Sequence, residues 1–329
     1  MDPLPCRRPA KKAPAARGRP TDGVNPTERR DNMKLQSEKR QRTVVIVLFL
    51  LCPLALLLAF SYYPAAKLVE LSFTDWNGMS KTYEYIGLAN YAAIFRSQNA
   101  VKTLVNNLAY VIITVIQVVL GLYFAIILDS NVKAKRFFRS FLFMPYILNG
   151  VALANMFNYM YNFDDGPLNI LIRAITGNPE AGIHYLGNTW ASNMWLAGMG
   201  LWQYTGMAMV IFLGALQSIP KELYEAAEID GGNFGQSVRY ITIPSIRMVI
   251  ELNLFLSLNG ALQAFNQAYL ITKGGPGDRT KTFALNAYYT AFDFHDFGIA
   301  SALGVFLLAL ITVVMLVQNL VLKSGGDLE

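Results

Sequence analysis

Apolar and polar positions along the chain fall into long blocks, without the short alternation typical of strands. Apolar runs lie at about 44–66, 106–128, 140–161, 193–215, 245–270 and 298–322. Each run is close to the ~20 residues that a helix needs to cross a bilayer. The pattern predicts an all-α integral membrane protein with six transmembrane helices that form one bundle.

The two ends of the chain differ from this membrane domain, which we place at 44–322. Residues 1–43 are rich in Pro, Ala, Arg and Lys and contain almost no large apolar side chain, so we predict a basic, disordered tail. We expect no cleaved signal peptide, because the first apolar run is long and no small-residue cleavage site ends it. Met33 offers an alternative start, which would make the preceding residues a dispensable extension. Residues 323–329 form a short C-terminal tail.

The distribution of Lys and Arg predicts the orientation. Twelve of the 28 basic residues precede residue 44. With the N-terminus inside, the inner segments carry 20 basic residues and the outer segments carry 8. Cytoplasmic segments carry an excess of Lys and Arg, so both termini are predicted to be cytoplasmic. The basic tail suits an anionic membrane surface, and we expect no nucleic-acid partner.

Composition excludes several classes of protein. Apolar residues make up 53% of the chain and charged residues only 15%, which is untypical of a soluble domain. Cys6 and Cys52 are too few for a disulfide framework, and His184 and His295 lack metal-ligand spacing. The sequence has no P-loop, no Gly-x-Ser-x-Gly elbow and no His-Glu-x-x-His motif. We therefore predict no catalytic residue, no metal site and no bound cofactor.

One charged, Gly-centred stretch, 218–244, separates the fourth and fifth apolar runs. Ser218 is expected to cap a first short helix. Gly231 is expected to break that helix, because glycine tolerates the positive φ of a tight turn. Asn233 is expected to cap a second short helix, and Pro244 to open the next apolar run. On spacing alone, an ordinary solvated loop between spans is the alternative to a docking element.

The same stretch carries a family resemblance. Glu225-Ala226-Ala227, Asp230-Gly231 and Ile241-Thr242-Ile243-Pro244 resemble the cytoplasmic EAA loop of ABC importer permeases. In that family the loop docks into a cleft on the ATP-hydrolysing subunit. The resemblance implies ATPase-coupling roles for a set of six residues: Glu225, Ala226, Ala227, Asp230, Gly231 and Pro244.

Two outer loops extend the resemblance to carbohydrate importers of the maltose-transporter type. The matching runs are Ser72-Phe73-Thr74-Asp75-Trp76, Gly274-Gly275-Pro276 and Ala300-Ser301-Ala302, so that 44–322 resembles a type I ABC importer permease. This implies a sugar substrate and a bacterial-type plasma membrane. The implied partners are a second permease subunit, two ATP-binding cassette subunits that use ATP and Mg, an extracellular or periplasmic solute-binding protein, and membrane lipid.

Polar side chains within the apolar runs are candidates for a substrate path, because such groups are costly against lipid. The fifth run carries four amides at helical spacing, and other candidates lie in the third, fourth and fifth runs. Interhelical hydrogen bonding is an equal alternative for the amides, and a structural ion pair is the alternative for Glu251. The full set is Asn259, Gln263, Asn266, Gln267, Glu251, Asn155, Asn158 and Trp202.

Three other functions remain open. A permease of the same superfamily could carry another solute, such as glycerol phosphate or a polyamine. A phosphate ligand would favour basic residues within the spans. We place none there, because Arg247 is counted at the inner edge of the fifth run. A stand-alone secondary transporter would need no docking loop and often shows an internal repeat, which we do not find. A membrane enzyme would require a catalytic constellation.

Overall fold

The computed structural model describes residues 42–43, 45–130, 132–187 and 189–324. Helices and turns dominate these residues, and their only β-pairing is an isolated bridge between Thr74 and Tyr85. The predicted tail 1–43, apart from its last two residues, and the last five residues of the chain lie outside the described residues. The chain divides into two compact units between Pro64 and Ala65, and every described helix from Ala89–Arg96 onward belongs to the second.

The described helices are, in chain order, α1 (Val45–Leu71), α2 (Ala89–Arg96), α3 (Gln98–Asp129), α4 (Lys135–Ile147), α5 (Gly150–Met160), α6 (Pro167–Thr176), α7 (Thr189–Leu216), α8 (Lys221–Ile229), α9 (Phe234–Ser245), α10 (Arg247–Leu262), α11 (Phe283–Phe292) and α12 (Phe297–Ser324). Four of them, α1, α3, α7 and α12, contain stretches long and apolar enough to cross a membrane. Two pairs, α4 with α5 and α9 with α10, pass the same test jointly. Counting each pair as one span gives the six that the sequence predicts.

The third predicted span, 140–161, is two helices that meet at an angle of 96°. Pro145 lies in the last turn of α4, and Leu148 is extended. Asn149 then caps α5, its side-chain oxygen accepting a hydrogen bond from the Val151 amide at 2.9 Å. Because an N-cap side chain satisfies the free amides of a new first turn, the chain can start α5 in a new direction.

The fifth predicted span, 245–270, is also interrupted. Pro244 lies near the end of α9, the bend of 70° follows at Ile246, and α10 begins at Arg247. The prediction that Pro244 opens this span is therefore wrong, because the preceding π-turn, Val238–Thr242, continues into Pro244 and the break comes after it. After α10 the chain leaves the helical conformation, and it then forms another π-turn at Ala268–Thr272.

The core of the second unit lies along α3 and α7. In one half of this core, Met209 and Phe212 of α7 pack with Val118 and Ala125 of α3. A second cluster joins α5 to α7, and a third joins α2 and α11 to α12. Two long helices thus serve as the frame against which the broken segments α4–α5 and α9–α10 are held.

Candidate functional site

A cavity of about 490 Å³ lies among α3, α4, α7, α10 and the segment that follows α10. Its described lining contains no charged side chain. Hydroxyl and amide groups are interspersed with apolar ones, and the polar members are Tyr110, Thr114, Gln117, Tyr146, Tyr204, Asn253, Ser257, Gln263, Asn266 and Gln267. Amides and hydroxyls supply both donors and acceptors, so the cavity can hold a neutral, hydroxyl-bearing molecule.

Two lining atoms have hydrogen-bonding capacity that the described protein does not use. The Tyr110 hydroxyl and the Asn253 Oδ1 are buried and have no hydrogen-bond partner among the described residues. Tyr110 is 4% exposed and Asn253 is 5% exposed. Buried polar groups are nearly always paired, and both residues line the cavity, so these two side chains are candidates to bind a molecule that enters it.

Three of the four amides predicted to share one face of the fifth span meet in the cavity: Gln263, Asn266 and Gln267. Asn259 does not line it, and its Oδ1 accepts a hydrogen bond from the Gln263 Nε2. The predicted face is split because α10 ends at Leu262. Asn259 lies on the helix, whereas the three cavity amides belong to the segment beyond it.

The other predicted path residues lie outside the cavity lining. Asn155 and Asn158 are exposed on α5. Trp202 is 43% exposed, and its ring packs on Phe157 with centroids 5.8 Å apart. Glu251 accepts a hydrogen bond from Arg247, with 2.8 Å between Oε1 and Nε, which matches the structural ion pair considered as the alternative.

Sequence reasoning missed the α3 wall of the cavity. Tyr110, Thr114 and Gln117 stand at i, i+4 and i+7, and therefore on one helical face. Asn253 and Ser257 have the same i, i+4 relation on α10. A search for polar residues at helical spacing within every apolar run would have found both stripes.

The 218–244 stretch, the coupling loop of the resemblance, folds into α8, a tight turn and α9. Gly231 adopts φ of +78° at the end of α8. Its amide donates to the Glu228 carbonyl at 3.0 Å, and the Gly232 amide donates to the Ala227 carbonyl at 2.8 Å. This pair of bonds around a left-handed residue is a Schellman motif, which satisfies the last carbonyls of the helix.

The start of α9 also follows the prediction. Asn233 and Gln236 form a capping box, with reciprocal bonds of 2.8 and 2.9 Å between each side chain and the other residue's amide. The start of α8 does not follow it. Pro220 is the N-cap residue, and the Ser218 hydroxyl donates to the Ala215 carbonyl at 2.7 Å, since the chain is still turning out of α7 there.

The coupling loop presents a mixed acidic and apolar surface. Tyr224 of α8 and Thr242 of α9 are joined through their hydroxyl oxygens at 3.0 Å, which fixes the two helices to each other. Glu225 and Asp230 are exposed. Large apolar side chains are exposed beside them, namely Leu223, Ile229, Phe234 and Tyr240. An apolar surface of this kind is typical of a contact site for another protein.

Comparisons with known proteins give the same picture for most of the chain. A sequence model of the family described as "Binding-protein-dependent transport system inner membrane component" matches residues 117–324. The probable ABC transporter permease protein YurN of Bacillus subtilis is 32% identical over 290 residues, covering 87% of this chain and 99% of that protein. The multiple sugar-binding transport system permease protein MsmF of Streptococcus mutans is 30% identical over 276 residues, covering 82% and 92%.

Solved structures share the fold. A chain of a bacterial alginate ABC transporter, crystallised with an alginate pentasaccharide-bound periplasmic protein, is 19% identical to this chain with a TM-score of 0.75. The match covers 86% of this chain and 95% of that one. A second structure of a bacterial ABC transporter, involved in the import of the acidic polysaccharide alginate, gives a TM-score of 0.76. At this level of identity the likeness concerns the fold alone.

Proposed function

The chain belongs to the family of binding-protein-dependent transport system inner membrane components, and from this membership we propose that it is the membrane subunit of an ATP-driven sugar importer. Relatives named for the transport of multiple sugars and arabinooligosaccharides support the solute class. The observation that carries it is the cavity, whose described lining is uncharged and rich in amides and hydroxyls. A neutral mono- or oligosaccharide offers matching hydroxyl groups.

The cavity would form this subunit's part of the translocation path. Gln263, Asn266 and Gln267 would bind sugar hydroxyls, together with Tyr110 of α3 and Asn253 of α10. The unused capacity of the last two side chains supports this role, because an unpaired buried polar group costs about 1–3 kcal/mol until a partner meets it. The absence of charged groups among the described lining residues argues against glycerol phosphate, which would need cationic partners.

ATP would act on the chain through the coupling loop. The exposed apolar side chains of α8 and α9 would enter a cleft on an ATP-binding cassette subunit, and Glu225 and Asp230 would meet its polar rim. Gly231 would hold the angle between the two helices. Support comes from the rigid local geometry, in which both helix ends are capped and a hydroxyl contact locks α8 to α9.

The assembly would contain a second permease subunit, two ATP-binding cassette subunits that use ATP and Mg, and an extracellular or periplasmic solute-binding protein. Both termini would be cytoplasmic, as the excess of basic residues on the inner segments favours. Closure of the two ATPases on ATP would pull the coupling loops together. The two bundles would then rock and expose the cavity alternately to each side of the membrane.

Uptake by cells that express the assembly tests this function. Labelled neutral mono- and oligosaccharides, and labelled glycerol phosphate as a comparison, are supplied to cells and to cells depleted of ATP. The proposal predicts accumulation of at least one sugar that stops on ATP depletion and persists when the proton gradient is dissipated. Accumulation of glycerol phosphate alone, or sugar uptake without ATP, would contradict it.

A further inference from the structure

Three buried asparagines connect a partly exposed loop to the wall of the cavity. The loop, residues 273–282, lies between the π-turn Ala268–Thr272 and α11, and is called here the outer loop. The asparagines are Asn106 and Asn107 of α3 and Asn193 of α7, and we call them the asparagine bridge. They are 4%, 2% and 1% exposed. None of them lines the cavity.

Asn107 is bonded on both sides of the gap between α10 and α11. Its Nδ2 donates to the carbonyls of Leu262 and Ala261, at 2.9 and 3.3 Å. Its Oδ1 accepts from the Phe283 amide at 2.9 Å. The last carbonyls of one helix and the first amide of another are groups that a helix cannot satisfy internally. One side chain therefore fixes the end of α10 and the start of α11 to the same point on α3.

The other two asparagines hold the outer loop itself. Asn106 donates to the Lys281 carbonyl at 2.9 Å. Asn193 donates to the Arg279 carbonyl at 3.0 Å and to the Asn106 Oδ1 at 3.1 Å. The loop is thus bonded through its main chain to α3 and α7, two of the helices that also carry cavity residues.

The outer loop is cross-linked by internal bonds, and its tip is exposed. The Thr280 hydroxyl, fully buried, lies 2.8 Å from the Gly275 carbonyl and 2.7 Å from the Thr272 hydroxyl. The Lys281 ammonium lies 2.7 Å from the Asp278 carboxylate. Pro276, Gly277 and Arg279 are exposed. A cross-linked loop with an exposed tip can pass a force applied at the tip to its bonded ends.

We propose that the asparagine bridge makes the outer loop and the cavity wall after α10 move as one body. Asn107 is then a positioning residue for the transport cycle. This inference rests on the proposed function, in which the solute-binding protein meets the outer face of the chain. A partner seated on the loop tip would shift the end of α10, and with it Gln263, Asn266 and Gln267, through the bridge.

The matched control lies elsewhere in the chain. Asn90 is 4% exposed, and its Nδ2 donates to two carbonyls, those of Ser72 and Thr74, at 2.9 and 2.8 Å. It makes the same type and number of donated bonds as Asn107, and its partners lie in the segment between α1 and α2. Asn90→Leu therefore removes two donated buried hydrogen bonds, as Asn107→Leu does, without touching the connection between the outer loop and the cavity. Asn107→Leu additionally removes the bond accepted from the Phe283 amide.

Hydrogen exchange of the purified assembly in lipid nanodiscs tests the mechanical connection. Asn107→Leu is expected to raise exchange in residues 258–267 and in 273–284 together, by about tenfold or more, because both lose a shared anchor. Asn90→Leu is expected to leave both segments at the wild-type rate. Exchange that rises in only one segment, or in neither, would overturn the proposal.

ATP hydrolysis supplies a readout that simple destabilisation does not move. Asn107→Leu should leave the basal rate of ATP hydrolysis per assembled complex unchanged. The stimulation of that rate by the co-purified solute-binding protein should fall at least about fivefold. Asn90→Leu should keep the wild-type ratio of stimulated to basal rate, and an unchanged ratio in Asn107→Leu would refute the role. If Asn107→Leu does not assemble, Asn106→Leu is measured instead, because it removes the bond to the Lys281 carbonyl of the outer loop and the bond from Asn193, and leaves the bonds of Asn107 in place. It must show the same loss of stimulation. A wild-type assembly that no binding protein stimulates would refute the proposed function, while the exchange result still decides the bridge.

Discussion

Gly206 of α7 packs directly against the main-chain carbonyl of Leu142 in α4, so closely that a Cβ on Gly206 would overlap it. This contact sets the approach of the broken span α4–α5 to the central helix. Within a bilayer the solvent gives no hydrophobic drive between helices, and small residues allow the close packing that holds them together. The absence of a side chain at Gly206 therefore determines the path of α4. It also determines where Tyr146 of α4 stands in the cavity wall.

Gly206→Ala is predicted to lower the thermal stability of the solubilised assembly. Alanine is the better helix former by about 1 kcal/mol, but overpacking typically costs about 1–3 kcal/mol. Gly198→Ala in the same helix is the control, because nothing lies within 4 Å of its added Cβ. The expected melting temperature is below wild type for Gly206→Ala and at or above it for Gly198→Ala. Equal melting temperatures would contradict the packing argument.

Gly231→Val is predicted to uncouple ATP hydrolysis from uptake while the chain still inserts in the membrane. A Cβ at Gly231 has free space, so the cost comes from the φ of +78° and not from a clash. A side chain in this left-handed region costs about 1–2 kcal/mol, which shifts a local equilibrium about 5- to 30-fold.

Two variants sharpen that prediction. Gly231→Asn should retain much of the uptake, because asparagine tolerates the left-handed conformation. Gly235→Ala should retain all of it, since Gly235 lies within α9, has no positive φ, and its Cβ would make only an ordinary contact with Asn233. Uptake is measured per unit of membrane-inserted protein. Full uptake by Gly231→Val would eliminate the proposed role of the turn.

Asn253→Leu is predicted to reduce sugar uptake at low concentration about fivefold or more. The substitution preserves side-chain size and removes an acceptor that has no partner in the described protein, and one hydrogen bond contributes about 1 kcal/mol. Asn158→Leu is the control, since Asn158 is exposed on α5 and lies outside the cavity lining. Initial rates for the two variants are compared, and equal losses would show that the cavity does not bind sugar through Asn253.

Glu251→Gln is predicted to leave uptake within about twofold of wild type. Glu251 is bonded to Arg247 at 2.8 Å and does not line the cavity. Both side chains are about one-third exposed, and glutamine keeps an oxygen that can accept the Arg247 hydrogen bond. Loss of uptake with normal assembly would instead assign Glu251 to a gate or to the substrate path.

Much of the fold could be predicted from local sequence signals. Apolar runs near 20 residues indicated the six spans, and the chemistry of Gly231 and Asn233 indicated the turn between α8 and α9. The 96° bend after Pro145 could not be predicted, because it depends on the packing of α4 on α7. The end of α10 was missed for the same reason, since its last carbonyls are held by Asn107, which is distant in sequence.

The site was less predictable than the fold. The spacing of polar residues within the fifth run identified Gln263, Asn266 and Gln267, which line the cavity. It could not identify the residues of other runs that face them. Tyr110 and Asn253 became candidates only when the helices were placed together. Asn155 and Asn158 have the same residue chemistry, yet they are exposed and do not line the cavity. The residues that line the cavity differ from Asn155 and Asn158 in their burial and in their neighbours from other helices. Neither property can be read from the sequence.

The most direct test of the account is affinity purification of the tagged chain from native membranes, with mass spectrometry of the proteins that accompany it. The account predicts recovery of an ATP-binding cassette subunit and a second permease, and loss of the ATP-binding cassette subunit when Glu225 and Asp230 are both changed to lysine. A chain that purifies alone, or that keeps its ATPase partner after this double change, would contradict the coupling of this permease to ATP through the coupling loop.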